Sequence, residues 1–377
     1  MLSALDFDEG YFLQVVWNLW HHTAYRSFYQ LLDPYITTGP TVILPASLFI
    51  PLHPLAPRII MLIYLAGFGY VVYRYYLLSL LSLATWILVV VALPHAQTYL
   101  THVLGEIPGL FFVIAGYAAL QRKHDGWAGI LFGLGILTKQ IYVLALVPVL
   151  LTRQWKAAGV ALIPAALWHM IVYTFGSGDF EVTRALAWPR PDMLSQRFSM
   201  ISSELWLPWW VWLLASYAIW TCGAHHTRLR LLSMFSWTYG TYYLLLYSNY
   251  SYRTLFPLLV ATLLIGVSLL SCRHALALLV TVSIFSMIFH PQEIEIVTFS
   301  EQAKLAHLVR SLKGTVSSCG WYSAPELSYL AGRRIDREVS PPTAYYITTV
   351  GLPACSYPPF PAKRLSCNAQ HCVYQKL

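Results

Sequence analysis

Ten apolar runs dominate this chain and leave few folds open to it. They fall at about 57–77, 79–95, 107–120, 126–139, 140–152, 157–176, 205–222, 230–247, 254–271 and 275–290. A helix crossing a bilayer needs roughly 17–25 residues; most of the runs reach that length, and several are shorter, with soft boundaries. Composition agrees. Charged residues make up 11% of the 377 positions and hydrophobic residues 57%, with a mean hydropathy of +0.56. A soluble domain carries roughly 25% charged residues, so this chain lacks the polar side chains to cover a water-facing surface. A soluble enzyme and a disordered chain are excluded. The formal charge of +8 is scattered in ones and twos and gathers into no basic stripe, so no nucleic-acid partner is expected.

Charge placement orients the runs. Basic residues collect between alternate runs: Arg74; Arg122 and Lys123; Arg153 and Lys156; Arg228 and Arg230; Arg273. Read as one helix, 126–152 would put Arg122/Lys123 and Arg153/Lys156 on opposite faces. Two crossings, with a reversal at Thr138-Lys139-Gln140, put all five clusters on one side, which the positive-inside rule makes cytosolic. Of 16 Asp and Glu, only Asp125 falls on that side. The predicted architecture is an all-α polytopic membrane protein of about ten transmembrane helices. It has three parts: an outer acidic loop with juxtamembrane helices over 1–56, a helical membrane domain over 57–290, and a small extracytosolic α/β domain over 291–377.

An external N-terminus needs a spanning helix ahead of it, and only Met1 to Leu5 precede Asp6. The expectation is therefore either a further helix encoded upstream, the favoured reading, or unusual duty for the 10–20 stretch, Tyr11 to Trp20. In the tail, Glu301–Leu312 reads as a helix, and Ala344–Val350 and Cys372–Leu377 read as strands. The tail holds Cys319, Cys355, Cys367 and Cys372, with no C-x-x-C to suggest zinc. Outside the cytosol such cysteines form disulfides, and Cys367 and Cys372 can close a small loop, although four cysteines allow three pairings.

The outer face carries the chemistry. Asp6-Phe7-Asp8-Glu9-Gly10-Tyr11 sets three carboxylates beside a membrane, where carboxylates are commonly paired or functional. The aromatic, amphipathic stretch 11–32 suits a helix lying on the membrane surface. The polar turn Tyr35-Ile36-Thr37-Thr38-Gly39-Pro40-Thr41 leads into 42–50, a short run broken by Pro45 and read as a second juxtamembrane or re-entrant piece. Glu106 opens a helix at the outer face, where a carboxylate suits the helix dipole. His95 and His102 are candidate metal ligands or ordinary interfacial side chains. Lys139 ends the glycine-spaced helix Gly129–Lys139 on the face where lysine is rare. Arg253 stands at another outer helix start, beside Tyr252, where a guanidinium either grips a phosphate in bidentate fashion or snorkels to the lipid headgroups. Arg184, Arg190 and Arg197 sit in the long loop 177–204, read as a lid.

These motifs, in this order and on this side, resemble the GT-C superfamily of membrane glycosyltransferases. The similarity is greatest to the branch holding lipid A aminoarabinose transferases and protein O-mannosyltransferases. It rests on Asp8-Glu9-Gly10-Tyr11, Thr37-Thr38-Gly39-Pro40, Gly105-Glu106-Ile107-Pro108, Gly133 to Lys139, and Tyr252-Arg253-Thr254-Leu255-Phe256-Pro257. The resemblance implies a sugar donor carried on polyprenyl phosphate and used at the outer face of the cell (inner) membrane. By it Asp8 is the catalytic base, with Asp6 and Glu9 beside it, and Glu106 is a second outer acid. Lys139 and Arg253 would hold the carrier phosphate, with Tyr11 and Tyr252 lining the substrate. Some relatives use a divalent cation held by outer carboxylates and others use none. The acceptor, whether lipid, glycan or protein, is not named by these residues. Two other readings are a transporter or lipid flippase, and a catalytically inactive, truncated relative.

Overall fold

A computed structural model describes residues 5, 9–10, 12–13, 39–77, 79–93, 95–175, 194–205, 208–245, 252–270, 298–318, 325–333, 335–336, 343–350, 355 and 357–377. The chain divides into two units. One comprises residues 34–45 and 58–291, and the other residues 1–33, 46–57 and 292–377.

The larger unit is helical. α1 (Pro40–Ser47) is short and carries Pro45. α2 (Ile59–Val72) follows a 3₁₀ turn and runs on into a π-helical turn, Tyr73–Leu77. Then come α3 (Leu80–Val91), the short α4 (Ala96–Thr101), α5 (Glu106–Gln121) and α6 (Asp125–Thr138). A 3₁₀ segment, Gln140–Ala145, leads into α7 (Leu146–Leu151). The unit continues with α8 (Trp155–Phe175), α9 (Leu194–Leu205), α10 (Trp209–His225), α11 (Arg230–Leu245) and α12 (Tyr252–Leu269). Each apolar run read from the sequence, up to 254–271, coincides with helix. The run 275–290 lies outside the described residues, as does most of 11–32.

Among the described residues one helical stretch, Ala56–Leu77, is long and apolar enough to cross a membrane, and several shorter apolar helices accompany it. Large apolar side chains stay exposed along these helices, among them Leu62, Ile63, Leu88, Leu151, Leu162, Ile163 and Leu167. Inside, polar handles on aromatic rings find partners rather than being left bare in an apolar medium. The Tyr117 hydroxyl donates to the Ala145 carbonyl at 2.9 Å, and Trp220 Nε1 donates to Thr262 Oγ1 at 2.9 Å.

The sequence from 126 to 152 is broken where the charge argument placed the break. Lys139 is extended, with φ −157° and ψ 125°, so α6 cannot continue through it. Tyr142 meets the first residue of α5 and Ala145 meets Tyr117 further along it. The segment after Lys139 therefore runs in the sense of α5, and α6 lies between two reversals. The other ends of these helices share one cap. His124 and Lys123 donate back to Ala119 and Leu120, and Gln154 and Arg153 donate back to Val149 and Leu150. Lys123 and Arg153 both adopt φ of 61° to do so, the left-handed residue of a Schellman cap. α6 packs closely on α8 because Gly129 and Gly133 face it. A Cβ on Gly133 would stand 2.9 Å from the Ala161 carbonyl oxygen.

The smaller unit holds a four-stranded sheet: β1 (Thr315–Ser318), β2 (Thr343–Thr349), β3 (Ala362–Cys367) and β4 (His371–Lys376), in the order β1-β2-β4-β3. β1 and β2 are parallel, and α14 (Pro325–Ala331) lies in the connection between them, as a parallel pair requires. The remaining pairs are antiparallel, and Cys367 and Cys372, opposite one another across the β3–β4 hairpin, form a disulfide. Cys355 is also disulfide-bonded. α13 (Phe299–Ser311) and α14 contribute Leu305, Val309 and Leu327 to a core with Val316, Ile335, Ile347 and Val373. The helix and two strands read from the tail sequence are α13, β2 and β4. β1, β3 and α14 went unread. β1 spans four residues of small side chains, and β3, AKRLSC, lies at the sheet edge with charged, exposed residues.

α13 begins with a capping box. Thr298 accepts from the Glu301 amide, and the Glu301 carboxylate accepts from the Thr298 amide at 2.9 Å and from its hydroxyl at 3.1 Å. The Thr298 amide, then its hydroxyl, hold the exposed Glu301 carboxyl below the usual glutamate value. Because the folded-state value is the lower one, this contribution is present above the unfolded-state value and is lost as pH falls through the folded one. Thermal unfolding of the full chain between pH 6 and pH 3 is expected to show a smaller acid-induced drop in Tm in Glu301→Ala than in the parent. An equal drop in both would remove the cap from the pH response.

Candidate active site

In the larger unit, three of the separately spaced motifs come together. Glu106 is the first residue of α5, and its carboxylate is 1% exposed. Its partner is Lys139. The extended backbone at Lys139 ends α6 and the Nζ ammonium donates to Glu106 Oε1, forming a buried ion pair. The first turn of α5 favours the carboxylate through its unpaired amides, and the ammonium neutralises it. The Tyr142 hydroxyl donates to the Glu106 carbonyl, so the residue is held through backbone and side chain alike.

The Gly39-Pro40 turn docks on the same helix end. The Gly39 amide donates to the Thr138 carbonyl at 2.8 Å. A Cβ at position 39 would fall 1.6 Å from the Leu137 carbonyl oxygen, so only glycine permits this approach. Two residues on, Thr41 Oγ1 pairs with Thr138 Oγ1 at 2.6 Å, while Thr138 Oγ1 also reaches the Leu134 carbonyl at 2.7 Å. Tyr64 of α2 donates its hydroxyl to the Thr41 carbonyl. One polar network thus runs Tyr64–Thr41–Thr138 and continues through the chain to Lys139, Glu106 and Tyr142. It ties α1, α2, α5 and α6 at the end of α6 opposite its Asp125 start. Tyr64 and Tyr142 escaped the sequence reading. Each is a tyrosine in an apolar run, where a buried hydroxyl needs a partner, and that was the available signal.

The other named residues are distributed as follows. Arg253 and Tyr252 are the first two residues of α12, which places them at a helix start, and their side chains are not described. Asp6, Asp8 and Tyr11 lie outside the described residues. Glu9 belongs to the smaller unit, is helical and is fully buried. Tyr329 of α14 has its phenol pushed up in pKa, first by burial and second by the Glu9 charge, so it stays protonated. Arg197 departs from the reading as part of a lid. It sits on α9, is completely buried, and its guanidinium donates to the Leu244 carbonyl near the end of α11. Arg184 and Arg190 lie outside the described residues. His95 opens α4 with φ 54° and has its ring 6.4 Å from that of Tyr99, and His102 is buried. Among the described residues no group of three or more His, Cys, Asp or Glu is placed to hold a metal.

Comparison with known proteins bears directly on this arrangement. Residues 39–185 match glycosyltransferase family 87, a stretch that includes Gly39, Thr41, Glu106, Thr138, Lys139 and Tyr142. Among solved structures the chain is similar to ArnT from Cupriavidus metallidurans in the apo state. The TM-score is 0.63 at 13% identity, covering 99% of this chain and 94% of that one. The chain shares the fold of that enzyme. The same enzyme bound to undecaprenyl phosphate matches with the same TM-score and coverage at 11% identity. Among curated protein sequences none matches at a significant level. The resemblance read from the motifs and the likeness of the fold therefore agree, and the fold includes the small C-terminal sheet as well as the helices.

Proposed function

We propose that this chain is a membrane glycosyltransferase that moves a sugar from a polyprenyl-phosphate carrier to an acceptor hydroxyl at the outer membrane face. The observation that carries the reading is the buried Glu106–Lys139 pair, built into one network with the Gly39–Thr41 turn inside the region matching glycosyltransferase family 87. A structure of similar fold holds undecaprenyl phosphate, which is the carrier class proposed here. The apolar helix exteriors suit a bilayer, and the Cys367–Cys372 disulfide suits an oxidising compartment for the small unit. The positive-inside count supports the same sidedness.

The chemistry needs few groups. An acceptor hydroxyl loses its proton as it attacks the anomeric carbon, and a carboxylate within hydrogen-bond reach takes that proton. Asp8 is the proposed base, in an acidic segment with Asp6 and Glu9. The leaving group is a phosphate, so cations rather than a general acid serve it. Lys139 and Arg253 are the proposed cations, Tyr11 and Tyr252 the proposed lining, and Glu106 the acid that fixes the Lys139 ammonium in place. This assigns the pair one function: a positioned charge that does not have to be gathered when the donor arrives.

The test uses the purified full chain in proteoliposomes with undecaprenyl-phosphate donors bearing labelled pentose or hexose and a mixed lipid and glycan acceptor fraction. Transfer of label to an acceptor is the expected result. Passage of the intact donor across the bilayer without transfer would replace this reading with a lipid flippase.

A further inference from the structure

We propose that the C-terminal part of the smaller unit acts as a clamp on Leu5 and Gly10, the residues that flank the acidic segment, with Gln302 and the start of α14 as its two jaws. The inference rests on the glycosyltransferase reading for its consequence, and on the smaller unit alone for its geometry. At one end of the segment, the Gln302 side chain pairs with both backbone groups of Leu5. The Leu5 amide donates to Gln302 Oε1 at 2.9 Å, and Gln302 Nε2 donates to the Leu5 carbonyl at 2.9 Å. Gln302 Nε2 also donates to Gln370 Oε1 at 3.2 Å, and both Leu5 and Gln302 are fully buried.

At the other end, Gly10 lies against the backbone of α14. A Cβ there would stand 2.5 Å from the Glu326 amide nitrogen and 2.6 Å from its Cα, so backbone meets backbone with no room for a side chain. Glu9, beside it, is fully buried. The α14 jaw is itself fixed. Glu326 Oε1 pairs with His371 Nε2 of β4, and the His371 amide donates to Asn368 Oδ1 at 2.7 Å. Tyr329 on the same helix donates its hydroxyl to the Pro54 carbonyl at 2.9 Å. Asp6, Phe7 and Asp8 are the residues between the two anchors.

The polar character of the first jaw argues for positioning beyond simple packing. A buried amide costs free energy unless it is bonded, and an apolar residue at 302 would bury Leu5 as well. An amide that pairs with one residue's N–H and C=O fixes the register of that residue, as a neighbouring strand would, and so fixes where the next three begin. Displacing a catalytic carboxylate by about 1 Å can cost roughly 10²-fold in rate. Gln302 and Gly10 are accordingly positioning residues, acting through the segment they hold.

Gln302→Met keeps the volume and removes both bonds to Leu5. In the full chain it is expected to lower kcat by about 10- to 100-fold with the donor KM changed less than about twofold. Amide hydrogen exchange across Leu5–Leu13 should speed up while Thr343–Thr349 stays protected. Gly10→Ala should give the same pattern from the other jaw. Ile347→Val, a core change touching neither jaw, is the control and should keep parental kcat. Parental kcat and parental exchange at Leu5–Leu13 in Gln302→Met would overturn the clamp. So would an equal loss of kcat in Ile347→Val, because the unit would then act only through its stability. Should the parent transfer no sugar, the glycosyltransferase reading fails, and exchange alone still decides whether Gln302 and Gly10 hold the segment.

Discussion

Asp8→Asn is expected to lower turnover by about 10²–10⁴-fold, the usual cost of removing a general base, with little change in folding. The substitution keeps the shape of the side chain and removes only its ability to accept a proton. The hydroxyl nucleophile then attacks without a base, while the phosphate leaving group still has its cations. The loss should therefore fall on kcat, with donor KM nearly unchanged, because the proton moves in the transition state and not in the ground state. Arg253→Ala differs under the same reading, since a phosphate contact exists in the ground state too and both kcat and KM should suffer. Transfer of labelled sugar in proteoliposomes measures both. Full activity in Asp8→Asn would move the base to Asp6 or Glu9 or remove the catalytic reading of the segment, and the complete burial of Glu9 makes Asp6 the first of these to examine.

Lys139→Met should destabilise the larger unit by about 3–5 kcal/mol, the usual cost of removing one member of a buried ion pair. Glu106→Leu should do the same from the other side. Combined, the two changes should cost much less than their sum, since a buried pair replaced by apolar side chains is often close to neutral. Thermal unfolding in detergent across this double-mutant cycle gives the coupling. The double variant also separates structure from function. If Lys139 serves the donor phosphate, that variant regains stability and still fails to bind donor. If the pair only fastens α5 to α6, stability and donor binding return together.

Much of the helical architecture is readable because burial in this chain is a local property. A run such as 107–120 reads as helix because a single helix satisfies its own backbone hydrogen bonds within the run, and α5 occupies Glu106–Gln121. The break at Lys139 is readable for a different reason. The charges of Arg122, Lys123, Arg153 and Lys156 can share a side only if the chain turns between them. The tail is less legible. β3 and β1 lack the alternation that marks a half-buried strand, and their pairing is set by β4 and β2, residues far along the chain.

The sequence by itself determined the apolar runs and the list of motifs from Asp8 to Pro257, because hydrophobic length and motif spacing act over a few residues at a time. Only the tertiary structure decided which motif residues meet. Glu106 and Lys139 pair because two reversals bring the start of α5 beside the end of α6, and Gly39 joins them because nothing larger than hydrogen fits against Leu137. Leu5 finds Gln302 nearly the whole chain away, a match no local pattern encodes. Polar partners inside a protein are chosen by packing: each buried donor or acceptor must find whichever group the fold sets within about 3 Å, and the sequence names the groups without naming their neighbours.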